Sequence, residues 1–151
     1  MRAVVQRVSR AGVTLVATGE VVGQIGAGLL VYAAAAPDDG DDDIRYIANK
    51  VAHLRIFDDK DGKLNLDVGQ VGGGVLLVSA FTAHADARKS RRPSFDTAAP
   101  GPVAEPLVEK LADALRGHGL TVETGRFAQY MHIESVNDGP ICILLDSRRL
   151  F

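Results

Sequence analysis

A chain of 151 residues is long enough for one domain with its own core and too short for two, so a single domain over residues 1–151 is expected. Apolar residues at 46%, charged residues at 24% and a net charge of −2 are the balance of a folded soluble chain; they exclude a disordered one, and the longest apolar run, Leu29 to Ala36, is too short to span a bilayer. The start, MRAVVQRVSR, has no apolar leader stretch, and the single cysteine, Cys142, has no internal partner for a disulfide, so a cytoplasmic location and no membrane are expected.

The segment RAVVQRVSRAGVTLV is rich in β-branched residues, meets a turn at Thr18-Gly19 and continues as EVVGQIG, which predicts a long N-terminal hairpin. GLLVYAAAA follows as a third strand. A helix is predicted from Asp41 to Leu54, because Ile44, Ile47, Ala48, Val51 and Leu54 recur at the helical period and the preceding carboxylates oppose the positive end of the helix dipole. LRIFDDKDGKLNLDV predicts two short strands about Asp61-Gly62, and GGGVLLVSAF a strand buried on both faces. GPVAEPLVEKLADALRGHG is the second predicted helix, with Val103, Leu107, Leu111 and Leu115 on one face and Gly117 or Gly119 as its stop. LTVETGRF, MHIESV and ICILLD complete the chain as three strands. The fold class is mixed α/β: a layered, barrel-like sheet with two helices.

Charge is unevenly placed. DDGDDD puts five Asp into six residues, whereas ARKSRRPSF carries Arg88, Lys89, Arg91 and Arg92 with no acid among them, a local patch suited to phosphates or simply a solvated face. The four histidines lie 14 to 34 residues apart with no paired ligand spacing, and DDKDGK lacks the first and twelfth carboxylates of a calcium loop, so neither a metal nor another cofactor is expected. No GxSxG elbow frames a serine. Cys142, in an apolar stretch, reads as a small buried hydrophobe. Asn-Asp-Gly-Pro, at the entrance to the last strand, places a residue without an N–H donor and a conformationally free glycine where a ladder should begin.

Two stretches together resemble one family. SAFTAHADARKSRRPSF from Ser79 and NDGPICILLD from Asn137 are similar to the two signature motifs of D-aminoacyl-tRNA deacylases, a Ser-Gln-Phe-Thr strand end leading into RRPSF and an Asn-x-Gly-Pro-x-Thr segment. VVQRV, the GRF at 125–127 and Met131 support the match, which covers nearly the whole chain. The resemblance implies a homodimer with active sites at its interface that hydrolyses the ester between a D-amino acid and the terminal adenosine of tRNA. In that family the Gly-Pro bond is cis and projects into the active site of the other subunit. It implies catalytic positions at Ser79, Phe81 and Thr82, a chirality selector at Gly139 and Pro140, and substrate or adenosine contacts at Arg7, Ala80, Phe127, Met131 and Asn137. Arg7 would brace the Gly-Pro loop, and Phe127 and Met131 would wall the adenosine pocket. Backbone N–H groups near Phe81 and Thr82 suit an oxyanion, while the Thr82 hydroxyl could orient water or attack directly. Arg88, Lys89, Arg91 and Arg92 would meet tRNA phosphates.

Selection follows from geometry. With the α-amino group and the ester carbonyl both held, an L side chain points where a D-substrate has only hydrogen, and rigid backbone there rejects it whatever the side chain. Glycine has hydrogen in both directions, so glycyl-tRNA should pass. The sequence departs from the family pattern at Ala80, where the family has glutamine, and at Cys142, where it has threonine. Alanine can neither donate nor accept, and a thiol is a weak substitute for a hydroxyl. The alternative reading is therefore a diverged paralogue that binds acyl-tRNA without cleaving it, or cleaves a different one.

Overall fold

The computed structural model describes residues 1–150. Its strands are β1 (Arg2–Leu15), β2 (Val21–Ile25), β3 (Gly28–Ala34), β4 (Phe57–Asp58), β5 (Leu64–Leu66), β6 (Gly74–Ser79), β7 (Thr121–Thr124) and β8 (Met131–Asp146). The helices are α1 (Asp41–His53) and α2 (Gly101–Gly117), and a short 3-10 turn spans Phe81–His84. No helix among the described residues is long and apolar enough to cross a membrane.

The main sheet runs β2-β1-β3-β6-β7, with β8 also paired to β1. β1 is long enough to serve three antiparallel partners: β3 along Arg2–Val8, β2 along Ala11–Thr14, and β8 along its whole length. β6 is parallel to both β3 and β7. β3 and β6 are buried on both faces, as their unbroken apolar runs require. Leu29, Val31, Val75 and Leu77 meet the helix-side core, while Leu30, Leu76 and Val78 turn the other way to meet Val8, Val13 and Ile25 inside the curl of the sheet. Gly28 and Gly74 sit opposite each other where β3 and β6 begin, and a β-carbon on Gly28 would overlap the backbone of Gly74. Only glycine lets these strands approach so closely.

Both helices pack on one side of the sheet through Ile44, Ile47, Val51, Leu111 and Leu115. The Asp cluster has work at the head of α1. Asp43 accepts the Gly40 N–H at 2.9 Å, and Asp39 receives the Met1 ammonium at 2.6 Å. Asp38 pairs with Arg148, so the cluster ties both ends of the chain to one helix start.

Three expectations are corrected. Val103 is 39% exposed, and α2 instead buries Ala104, Leu111, Ala112 and Leu115, because the tight approach to the sheet favours small side chains. MHIESV and ICILLD are not separate strands but one, β8, interrupted by a bulge. Cys142 is exposed rather than buried, since the pleat turns Ile141 and Ile143 toward the core and leaves Cys142 and Leu144 on the outer face.

Candidate active site

β6 carries the chain from the core to the surface and ends at Ser79. The Ala80 N–H still donates to Ala33 O at 2.8 Å, and the chain then tightens: Ala83 N–H reaches Ala80 O at 3.0 Å, and Ala85 N–H reaches Thr82 O at 3.0 Å. Phe81 and Thr82 open this turn, positions whose N–H groups have no acceptor within a helix. Phe81 is 55% exposed, and its ring stands edge-on to that of Phe95, with centroids 5.1 Å apart.

Beneath Phe81 lies a cavity of about 580 Å³, bounded by Ser79, Phe81, Phe127 and Met131 and backed by Ala35 and Ala104. Four of the sequence-derived positions thus share one cavity. Thr82 is exposed beside it and is not part of its lining, and Ala80 is half-buried in the strand end. The loop after β7 shapes the far wall. Ala128 adopts a left-handed φ of 56°, and Met131 Sδ accepts the Arg126 N–H at 3.3 Å, which turns Phe127 and Met131 toward the same space. Sequence reasoning missed the back wall, made by Ala34, Ala35, Ala99, Gly101 and Ala104. The signal was the two runs of small residues, AAAAP and AAPG, which leave volume unfilled.

Gly139 and Pro140 lie elsewhere. On β8, Asp138 to Ile141 stand opposite the single residue Arg7, because Cys142 pairs with Gln6 and Asn137 with Val8. The extra residues form an exposed bulge in which the Gly139-Pro140 peptide is cis and Gly139 has φ 132°. Asn137 clamps its base, donating from Nδ2 to Arg7 O and to Ile141 O, both at 3.0 Å. The buried Arg7 guanidinium donates from Nη1 to Ile56 O at 2.8 Å and from Nε to Asp138 O at 3.2 Å, with the Asp58 carboxylate at 3.2 Å. Arg7 and Asn137 therefore meet the bulge and not the cavity.

In the basic loop, Asp86 and Ser94 bond to each other's backbone at 2.8 and 2.9 Å. Arg88 is bidentate on Asp86 at 2.9 and 2.7 Å and holds that carboxyl far below the usual range. Lys89, Arg91 and Arg92 remain exposed. Under the turn, His84 is only 5% exposed; its Nδ1 is 3.4 Å from Thr97 Oγ1, and its Nε2 has no partner among the described residues. Burial, and then the nearby Arg2, push its pKa down.

Residues 4–146 match the model of the family described as D-Tyr-tRNA(Tyr) deacylase. The chain belongs to this deacylase family. It is 57% identical over 151 residues, 100% of both chains, to the D-aminoacyl-tRNA deacylase of Anaeromyxobacter dehalogenans strain 2CP-C. The D-aminoacyl-tRNA deacylase of Symbiobacterium thermophilum is 52% identical, covering 100% of this chain and 99% of its own. Among solved structures, the c-Myc DNA unwinding element binding protein superposes with a TM-score of 0.89 at 34% identity, covering 97% of this chain and 98% of its own. A probable eukaryotic D-amino acid tRNA deacylase shares the deacylase fold with a TM-score of 0.83 at 15% identity, over 95% of this chain and 97% of its own.

Proposed function

We propose that this chain, as a single deacylase domain over residues 1–151, hydrolyses the ester of D-aminoacyl-tRNA in the cytoplasm and so removes D-amino acids before they reach translation. The observation that carries the proposal is the cavity at the end of β6, where Ser79, Phe81, Phe127 and Met131 surround a space suited to a terminal adenosine, next to the backbone amides that open the turn. Water attacks the ester carbonyl. The amides of Phe81 and Thr82 stabilise the developing oxyanion, and the tetrahedral species collapses to a free D-amino acid and the tRNA hydroxyl. The Thr82 hydroxyl orients the water.

The chain acts as a homodimer in this reading. Gly139 and Pro140 stand on an exposed bulge outside their own chain's cavity, so they reach substrate only in a second copy. The outer face of β8 supports such pairing, with Val136 39% and Leu144 56% exposed. There the Gly139 and Pro140 backbone excludes an L side chain and lets D-aminoacyl and glycyl esters pass. Lys89, Arg91 and Arg92 meet the tRNA backbone, while Arg88 is held by Asp86 and serves the loop first.

Ala80 favours a second reading, in which acyl-tRNA is bound and not cleaved. A deacylation assay with D-aminoacyl-, L-aminoacyl- and glycyl-tRNA separates the two. Cleavage of the D and glycyl esters with the L ester spared supports the hydrolase. Binding of all three without turnover supports the paralogue. A monomer in sedimentation at micromolar concentration would remove the second-copy role of the bulge.

A further inference from the structure

A second cavity, of about 470 Å³, lies on the other side of Phe127, between α2 and the end of β7, and shares Ser79 and Phe127 with the first. Leu77, Val108 and Ala112 give it an apolar floor, while Glu105, Glu109 and Arg126 stand at its rim. Its charges are not equally free. Asp113 is paired with Arg116 at 2.9 Å, Arg116 also donates to Val122 O at 3.3 Å, and Arg126 lies 3.6 Å from Glu20. Glu105 and Glu109 are exposed, one helical turn apart on the same face, and have no ion pair among the described residues.

A pocket for a phosphate would present uncommitted cations, and this one presents uncommitted carboxylates above an apolar floor. Such a site suits a flat ring with an amino donor on its edge. Building on the deacylase reading, we propose that this cavity is a subsite for the nucleotide that precedes the terminal adenosine. That nucleotide is a cytidine in every tRNA. Cytosine offers its N4 amino group to a carboxylate, whereas uracil offers a carbonyl oxygen at the same edge and is repelled. Phe127, which walls both cavities, separates the two bases, and the acceptor strand runs from one cavity to the other past Ser79. The subsite makes the enzyme read the common end of tRNA as well as the chirality of its cargo.

The test is binding of unacylated CpA, UpA and adenosine, followed by NMR titration, which requires no turnover. CpA is expected to bind about tenfold more tightly than UpA, within the range one well-placed base contact supplies. In the Glu105→Ala/Glu109→Ala double variant, both changes being at exposed helix positions, CpA should fall to the level of UpA. Equal affinities for CpA and UpA in the parent, including no binding of either, overturn the subsite, as does a CpA preference that survives the double substitution. Hydrolysis of D-aminoacyl-tRNA, which carries both nucleotides, tests the deacylase reading separately: its failure sinks that reading and leaves the dinucleotide result to stand or fall by itself.

Discussion

Arg7 holds Asp138 twice: its Nε donates to the Asp138 carbonyl oxygen at 3.2 Å and lies 3.2 Å from the Asp138 carboxylate. This ties β1 to a bulge 131 residues further along the chain. The same guanidinium reaches into the fold through Ile56 O, so the bulge is anchored to the core and not only to its own strand.

Replacing Arg7 by Ala is expected to lower unfolding free energy by about 2 kcal/mol, mostly from the buried Ile56 carbonyl left without its donor. The two carboxylates contribute little to this loss, being 53% and 55% exposed. Urea unfolding checks the stability change. Deacylation should fall further than stability alone explains, because the bulge loses its brace; unchanged activity in the folded variant would detach Arg7 from the site.

Gly139→Ala puts a β-carbon 2.7 Å from Ile141 Cγ1 and from Ile141 N, at a φ of 132° that side chains rarely adopt. The expected cost is about 1–3 kcal/mol, relieved by movement of the exposed bulge. Discrimination between D and L esters should therefore drop while the fold survives. Full discrimination would place the selector elsewhere.

His84 couples the turn to pH. Its folded pKa lies below the ordinary value near 6.5, so the native state favours the neutral ring. The stability this contributes is complete above about pH 6.5 and is lost as the pH falls through the depressed folded pKa. His84→Gln removes the titration. Between pH 7 and 5, thermal unfolding of the parent should fall more than that of the variant; parallel curves would show that the ring does not titrate differently on folding.

Ala80→Gln restores a side-chain amide next to the cavity. One added hydrogen bond to the reacting centre is worth about tenfold in rate. A parent that is already fast and a variant no faster would show the amide to be dispensable here.

Replacing Lys89, Arg91 and Arg92 by Ala should weaken tRNA binding at low salt. The salt slope should shallow by roughly 0.7–0.9 for each phosphate that the loop no longer neutralises. Adenosine binding, which involves no backbone phosphate, serves as the control. An unchanged slope would leave the loop a solvated face.

Periodicity and turn chemistry in the sequence were enough to determine the strands β1 to β7 in chain order, the helix α1 and its acidic start, the hairpin about Gly62 and the two-sided burial of β6. The Ser79 and Asn137 stretches were enough to indicate the family. These features are local, because a hydrophobic period or a capping carboxylate is written within a few residues of where it acts. The tertiary structure decided the rest. Only the pairing of β8 with β1 shows that MHIESV and ICILLD are one strand, that Asp138 to Ile141 bulge opposite Arg7, and that Cys142 faces outward. Only the fold brings the alanines of β3 and α2 behind Phe127. A cavity is the volume that side chains do not fill, and which small residues surround the same emptiness depends on how segments far apart in the chain pack together.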